Sequence, residues 1–464
     1  MSPVLAECCG GGLNRKVIPM AKTLLTVALL CAGLSLQGTG SAQASSDASQ
    51  PDQVIQWNRT LVQLLQTPGA QPATVHPTRS MAIVHLAIYD AVNAIRGGHA
   101  PYVVSHAPRS ASPEAAAASA AHTVLLSLFP NQQSVVDAKF QDSLTQIGGG
   151  RHVRQGIRVG EKAAKAILAA RANDGSASIP PVFVPQSGPG EYQLTPPNFK
   201  QPVFTNWSAV LPFALETGDQ FRPPPPPAVT SPRYTTDFDE TKSLGEINST
   251  TRSTEQTDIG RFWGAAPVQN LWNEIAQMAG MSFHNSLEQN ARMFALLDTS
   301  LADGVIALYD SKYAYHRWRP VTAVQGADSD GNPDTTGDPN WTPLAVTALD
   351  PSYAGAHAEI SQSAATSLHD FFGTDRADFS LTNPSLPGIV RSFQGFSQAS
   401  DEAAASRIYA GQHFRYDEEA GQALGDVVGN FVFDNILEPV PHRCPSAQAL
   451  RRRAHRRRAP ARRG

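Results

Sequence analysis

From Gln53 onward the apolar residues recur at three- and four-residue spacings, while the two-residue alternation of strands is nearly absent. Met81, Val84, His85 with Leu86, Ile88 and Val92 fall on one helical face, within a pattern that runs from Gln53 to Phe129. Ser112-Pro113-Glu114 opens an Ala-rich helix, with Ser as cap and Pro in the first turn. Between Ile179 and Pro232 the chain turns Pro-rich and ends in Pro223–Pro227, which favours an extended run over a helix. A second helical half covers Ser253–Tyr309, then Leu349–Phe372 and Ala403–Ile436, with a polar loop over Gly326–Asn340. The expected fold is all-α, two packed helical bundles in one compact unit. Residues 45–178 form the first helical region, 179–232 the connector and 233–443 the second helical region.

The two ends differ from this body. Met20-Ala-Lys22, the apolar stretch Thr23–Leu36 and the small residues Ser41-Ala42-Gln43-Ala44 read as a Sec-type signal peptide within a leader over 1–44. Met20 is the better start, and cleavage is expected before Ser45, which sends the protein to the periplasm or the exterior. The leader's apolar run is too short to span a bilayer well, and no later segment reaches the ~20 apolar residues of a spanning helix. The chain is therefore not expected to be embedded in a membrane. Its cysteines are Cys8, Cys9, Cys31 and Cys444, so processing leaves one at most and no disulfide framework. The tail, 444–464, carries eight Arg and no acid, and reads as a disordered basic segment. Residues 45–443 hold 26 Lys and Arg against 39 Asp and Glu, a net charge of −13 that disfavours nucleic acid as a partner.

Three stretches carry chemistry. In Lys312-Tyr-Ala-Tyr-His-Arg-Trp-Arg319-Pro320 the two cations lie seven apart, which on one helix places both on one face as a two-pronged anion clamp. A basic surface face with snorkelling side chains accounts for the same spacing. In Ser406-Arg407 through His413 to Asp417, a single helix would let the carboxylate hold one imidazole nitrogen and leave the other as ligand or nucleophile. Arg407 adds a planar fork to the same anion. A purely structural His–Asp pair is the alternative. In Pro351-Ser-Tyr-Ala-Gly355-Ala356-His357 a turn leads into a helix expected near Ala358, whose first amides favour an oxyanion beside His357, or which is simply a capped turn.

The order Lys-x6-Arg-Pro, turn-His, Ser-Arg-x5-His-x3-Asp resembles the tripartite signature of the superfamily that joins vanadium-dependent haloperoxidases to type-2 phosphatidic acid phosphatases. Arg79 to Asp90-Ala-Val-Asn, Arg252-Ser-Thr-Glu255, Phe262-Trp263 and Trp318-Arg-Pro-Val-Thr resemble its bacterial haloperoxidase-like branch, over about 53–435. The resemblance implies that Lys312, Arg319 and Arg407 neutralise the oxygens of vanadate or phosphate. It further implies that His413 is the apical ligand of vanadium or the phosphorylated nucleophile, that His357 is the acid–base partner and that Asp417 supports His413.

The implied function is a vanadate-dependent peroxidase that uses hydrogen peroxide to oxidise a halide or an organic substrate. The alternatives are a phosphomonoester hydrolase with His413 as nucleophile, needing no vanadate, and a degenerate oxyanion-binding protein without activity. The family's turn reads Pro-Ser-Gly-His, whereas here Ala354-Gly355-Ala356-His357 lacks the serine hydroxyl. Losing a hydrogen bond to a charged group costs about 1.5–3 kcal/mol, so Gly355→Ser is expected to tighten vanadate unless the turn is rebuilt around Gly355 with a positive φ. Asp328-Ser-Asp330-Gly-Asn332-Pro-Asp334 lacks the EF-hand pattern and reads as a solvated loop, and the sequons at Asn58, Asn206 and Asn248 are weak signals.

Overall fold

The longest helix among the described residues runs between the two halves and packs on both. In the computed structural model, which describes residues 51–72 and 75–440, the first half comprises α1 (Gln53–Leu65), α2 (His76–Arg96), α3 (Pro113–Leu128), α4 (Gln133–Ile147) and α5 (Arg151–Ala170). The second comprises α6 (Pro232–Gly245), α7 (Thr254–Gly264), α8 (Val268–Ser282), α9 (Leu287–Tyr315), α10 (Pro320–Gly326), α11 (Ala356–Phe372), α12 (Phe396–Tyr409) and α13 (Arg415–Asn435). The leader, the tail and all four cysteines lie outside the described residues. No helix among the described residues is long and apolar enough to cross a membrane.

Helix α9 is buried almost all round, from Asn290 to Tyr309, as a helix must be when partners cover every side. It packs on α2 of the first bundle and on α11 and α13 of the second, so one continuous apolar core runs through both. Ser112 accepts from the Ala115 amide at 3.1 Å, as its cap position requires. Ser253 and Ser286 close capping boxes that start α7 and α9.

Buried carboxylates fasten the loops. Asp90 of α2 accepts from the amides of Tyr102, Val103 and Val104, and Asp303 of α9 from those of Phe213, Ala214 and Leu215. The proline run is also held: the carbonyls of Pro223, Pro224 and Pro227 accept from Tyr315 Oη, Tyr353 Oη and Arg317 Nη2 at 2.7, 2.6 and 2.8 Å. Those three donors flank residues of the second half that gather around His413.

Three elements differ from the sequence expectation. A β-hairpin of β1 (Arg376–Thr382) and β2 (Val390–Gly395), paired through Phe379 and Phe393, lies where no element was expected. Its alternation buries Ala377, Phe379 and Leu381, but seven residues are a short window for that signal. The helix expected over Leu349–Phe372 starts only at Ala356, and the one expected over Ala403–Ile436 is broken between Tyr409 and Arg415. The loop at Asp330 is more internal than a solvated loop, since Asp330 and Asn332 are buried and bonded to Thr335 and Thr235. Asn58 and Asn206 are buried too.

Close helix packing positions the second half. On α13, Gly421, Gly425 and Gly429 face α11 at four-residue steps, and a Cβ at Gly425 would lie 2.8 Å from the Ser363 amide nitrogen. On α5, Gly160 meets α3 in the same way, with an added Cβ 2.7 Å from the Ala120 nitrogen. Overpacking of this kind costs about 1–3 kcal/mol. Gly425→Ala is therefore expected to lower the urea midpoint by that amount, with an unchanged m value, and an unchanged midpoint would show that α11 and α13 can part without cost.

Candidate active site

Lys312 sits in the last turn of α9, and the helix stops three residues later with His316 in the left-handed region. Pro320 opens α10, and the preceding Arg319 is extended at φ −85° and ψ 155°, as a residue before proline prefers. The two cations therefore do not share a helix face, contrary to the sequence expectation. They converge instead because the chain reverses between them. Lys312 Nζ donates to the carbonyls of Pro351 and Ser352 at 2.6 and 3.2 Å and lies 3.3 Å from Asp350 Oδ1. Arg319 donates Nε to the Asp350 carbonyl at 2.8 Å and Nη2 to the Asp350 carboxylate. Both cations are buried, so the basic surface face is ruled out.

His413 and Asp417 also fail to share one helix. Gly411, at φ +70°, ends α12 where a Cβ would lie 2.8 Å from Pro343, and His413 occupies the loop before α13 while Asp417 lies in its first turn. The pairing survives the break. Asp417 Oδ2 is 3.4 Å from His413 Nδ1, accepts from Ser352 Oγ at 2.5 Å, and accepts from the Phe414 amide at 2.9 Å. Arg319 Nη1 lies 2.9 Å from His413 Nε2, and a guanidinium can only donate, so Nε2 carries the lone pair and Nδ1 the proton. That proton faces Ser352 Oγ, at 3.3 Å, and Asp417.

On the other side of the site stand Arg407, Gly355, Ala356 and His357. Arg407 is in the last turn of α12, buried, and its Nε and Nη1 have no hydrogen-bond partner in the protein. Gly355 is the N-cap of α11, at φ −75°, its amide spent on the Asp417 carbonyl at 2.8 Å. No side chain caps that helix start, so the first-turn amides of Ala356 and His357 keep their donor capacity. His357 Nε2 is 3.1 Å from the Trp263 carbonyl, an acceptor, which fixes the proton on Nε2 and frees Nδ1. Ala356 and His357 are partly exposed while Lys312, Arg319, Arg407 and His413 are buried.

Electrostatics follow from burial and crowding of cations. Burial, then Arg319, Lys312 and Arg407, hold the His413 pKa well below the imidazole range, and burial with Arg407 does the same for His357. Burial pushes Lys312 down to about 8 against the pull of Asp350. Burial raises Asp417 to about 6 and Glu418 to about 8, opposed by Ser352 and Arg407 respectively. Asp350 stays below the usual carboxylate range because Lys312 and Arg319 outweigh its burial. A buried guanidinium with unspent donors, beside a neutral histidine and two further cations, fits a tetrahedral oxyanion.

Sequence reasoning missed four participants. Asp350 binds two cations, Ser352 orients Asp417, and Gln412 offers its carbonyl to Arg319 Nη1 at 2.9 Å. Glu418 lies with Oε1 3.6 Å from His413 Nδ1. A Cβ on Gly355 would fall 2.6 Å from its Cδ. Gly355→Ser therefore meets a filled space and is not expected to restore a donor as it stands. Of the auxiliary motifs, the arginines serve the scaffold: Arg79 pairs with Asp174 at 2.7 Å, and Arg252 binds the carbonyls of Glu246 and Tyr409 at 2.7 and 3.3 Å, whereas Trp263 reaches the site through its carbonyl.

Asp350→Asn tests the ion cluster. Removing one partner of a buried pair costs about 3–5 kcal/mol, and the two stranded cations should bind an added anion instead. The expected melting temperature is below wild type in plain buffer, with a larger rise than wild type shows on adding millimolar phosphate. Equal phosphate shifts in the two proteins would contradict the cluster's role.

Residues 292–441 match the family described as the VCPO second helical-bundle domain. Over 241 residues the chain is 27% identical to the vanadium chloroperoxidase of Curvularia inaequalis, a match covering 38% of this chain and 39% of that protein's length. The fold is similar to a bacterial vanadium-dependent iodoperoxidase, at a TM-score of 0.72 and 24% identity over 84% of this chain and 98% of that one. It is also similar to a holo-type bacterial vanadium-dependent chloroperoxidase, at 0.64 and 17% over 84% and 98% of the two chains. The chain thus shares its helical fold with bacterial vanadium-dependent haloperoxidases, and its residues 292–441 match the second helical-bundle domain.

Proposed function

We propose that this chain is a vanadate-dependent peroxidase that uses hydrogen peroxide to oxidise a halide or a small organic substrate. The observation that carries the reading is the fixed tautomer of His413: Nδ1–H is held by Ser352 and Asp417, and the Nε2 lone pair is directed toward the cations. Vanadate bound there supplies a Lewis-acidic centre that activates peroxide toward attack by the substrate. His413 Nε2 would hold the vanadate, with Arg319 giving up its Nη1 contact to that nitrogen while keeping those to Asp350 and Gln412.

Lys312, Arg319 and Arg407 would balance the anion's charge, preorganised by burial, which is where electrostatic stabilisation is strongest. His357, neutral and with Nδ1 free, is suited to take a proton from incoming peroxide. The same neutrality disfavours the phosphatase reading, because a phosphomonoesterase needs that histidine protonated to serve the leaving group. The leader pattern over 20–44 supports chemistry outside the cytoplasm.

Protein loaded with orthovanadate is expected to oxidise iodide or bromide in the presence of hydrogen peroxide and to release no p-nitrophenol from p-nitrophenyl phosphate. His413→Ala should lose vanadate and the oxidation together, read by metal analysis beside the halide assay. Phosphate release without halide or organic oxidation would sink the proposal.

The pH profile gives a second check. The base form of His357 is the active one, and burial with Arg407 lowers its pKa, so that form persists as pH falls. The acid limb of kcat/KM for peroxide should lie below pH ~6.5, the ordinary imidazole value, and should disappear in His357→Ala. A limb above that value in wild type would exclude His357 as the base.

A further inference from the structure

Glu418, the second acid in the first turn of α13, has a buried carboxyl whose two oxygens have no hydrogen-bond partner in the protein. The simplest explanation for an acid beside an arginine is a counter-ion pair. Arg407 attracts Glu418 without touching it: no ion pair joins the two among the described residues, Arg407 Nε and Nη1 are without partners, and the nearest nitrogen to Glu418 Oε1 in an ion-pair geometry is His413 Nδ1 at 3.6 Å, on a histidine that is neutral. The carboxyl lies instead against the start of α11. A Cβ built on Gly355 would sit 2.6 Å from Glu418 Cδ and 2.9 Å from Oε2, so this side chain takes the space that any side chain at 355 would need. Gly355 is at an ordinary φ of −75°, so backbone conformation does not demand glycine there. The carboxyl does.

We propose that the Glu418 carboxyl is the anion-contacting group that closes the oxyanion pocket in place of a hydroxyl at position 355, making Gly355 and Glu418 one exchangeable unit. The inference rests on the reading of this pocket as an oxyanion site. Glu418 reaches the same volume from α13 that a serine would occupy from α11, and it brings oxygen atoms that nothing in the protein uses. Two buried, unspent polar groups of opposite type, Arg407 and Glu418, then face one site, which suits an oxyanion offering both charged oxygens and hydroxyls.

Calorimetric titration of orthovanadate, and separately of inorganic phosphate, into wild type and variants tests the proposal, with thermal melts to confirm folding. Glu418→Ala is expected to weaken both anions about ten- to a hundred-fold, the scale of one lost hydrogen bond to a charged group. Glu418→Met, which keeps reach and volume without polar atoms, should show the same loss and serves if the alanine variant fails to fold. Glu418→Gln, whose amide oxygen still accepts at the same reach, should stay within a few-fold of wild type.

Gly355→Ser alone should weaken binding through its clash, and Gly355→Ser combined with Glu418→Ala should return most of the lost affinity. A purely structural glutamate would not produce that rescue. Glu418→Ala and Glu418→Met binding as tightly as wild type, or more tightly, would overturn the proposal, as would a double variant no better than Glu418→Ala. Wild type that binds neither anion, or His413→Ala that keeps wild-type vanadate affinity, would instead overturn the functional reading on which the proposal stands.

Discussion

The site depends on one carboxylate. Lys312 and Arg319 are both buried, and two like charges taken out of water would repel one another at a cost no helix packing could offset. Asp350 stands between them, held further by Tyr309 Oη at 3.0 Å; the carbonyls of Asp350, Pro351 and Ser352 take further donors, and Arg319 Nη1 goes to the Gln412 carbonyl and His413 Nε2. The loop before α11 is thus tied to the end of α9 and the start of α10. Ser352 belongs to the same loop and reaches Asp417, so the bracket that neutralises the cations also orients His413. Stability and tautomer control share their atoms.

Around that bracket, helix ends are brought together by what the sequence leaves out as much as by what it supplies. Glycines at 421, 425 and 429 let α13 approach α11 closely enough for the Asp417 carbonyl to accept from the Gly355 amide. The start of α11, the start of α13 and the end of α12 then surround His413 from three sides. Helix N-termini favour anions and a C-terminal turn favours a cation, which is the distribution found, with Asp417 and Glu418 in the first turn of α13 and Arg407 in the last turn of α12. The proline run closes the outer wall through Tyr315, Arg317 and Tyr353.

The chemistry-bearing residue types and their order were legible in the sequence, and the local geometry that unites them was not. A spacing of seven fits one helix face, but Pro320 marks a helix start and pushes Arg319 into an extended conformation, a signal that was available and outweighed by the spacing. A spacing of four fits a helix as well, yet Gly411 ends α12 at a positive φ, Phe414 caps α13, and His413 falls in the loop between them, with no room for a Cβ at Gly411 beside Gly245 and Pro343. Asp350 and Glu418 could not be found by spacing because their partners lie on other elements. The departure at Gly355 did announce a missing donor. What fills its place comes from a different helix, so only the folded chain shows why glycine is there.

Both histidines are kept neutral, and this decides what the positive charge of the site is for. Protonating His413 would add a fourth cation to Lys312, Arg319 and Arg407 in a buried volume, and burial and repulsion oppose it together. Asp417 could have compensated as a counter-charge, but its own burial raises it to about 6, and its Oδ2 is engaged by Ser352 and the Phe414 amide. Its work is therefore orientation, holding Nδ1–H so that Nε2 presents a lone pair. With Asp350 already spent on Lys312 and Arg319, the donors Nε and Nη1 of Arg407 stay unspent beside two neutral histidines, the arrangement on which the proposed anion site rests.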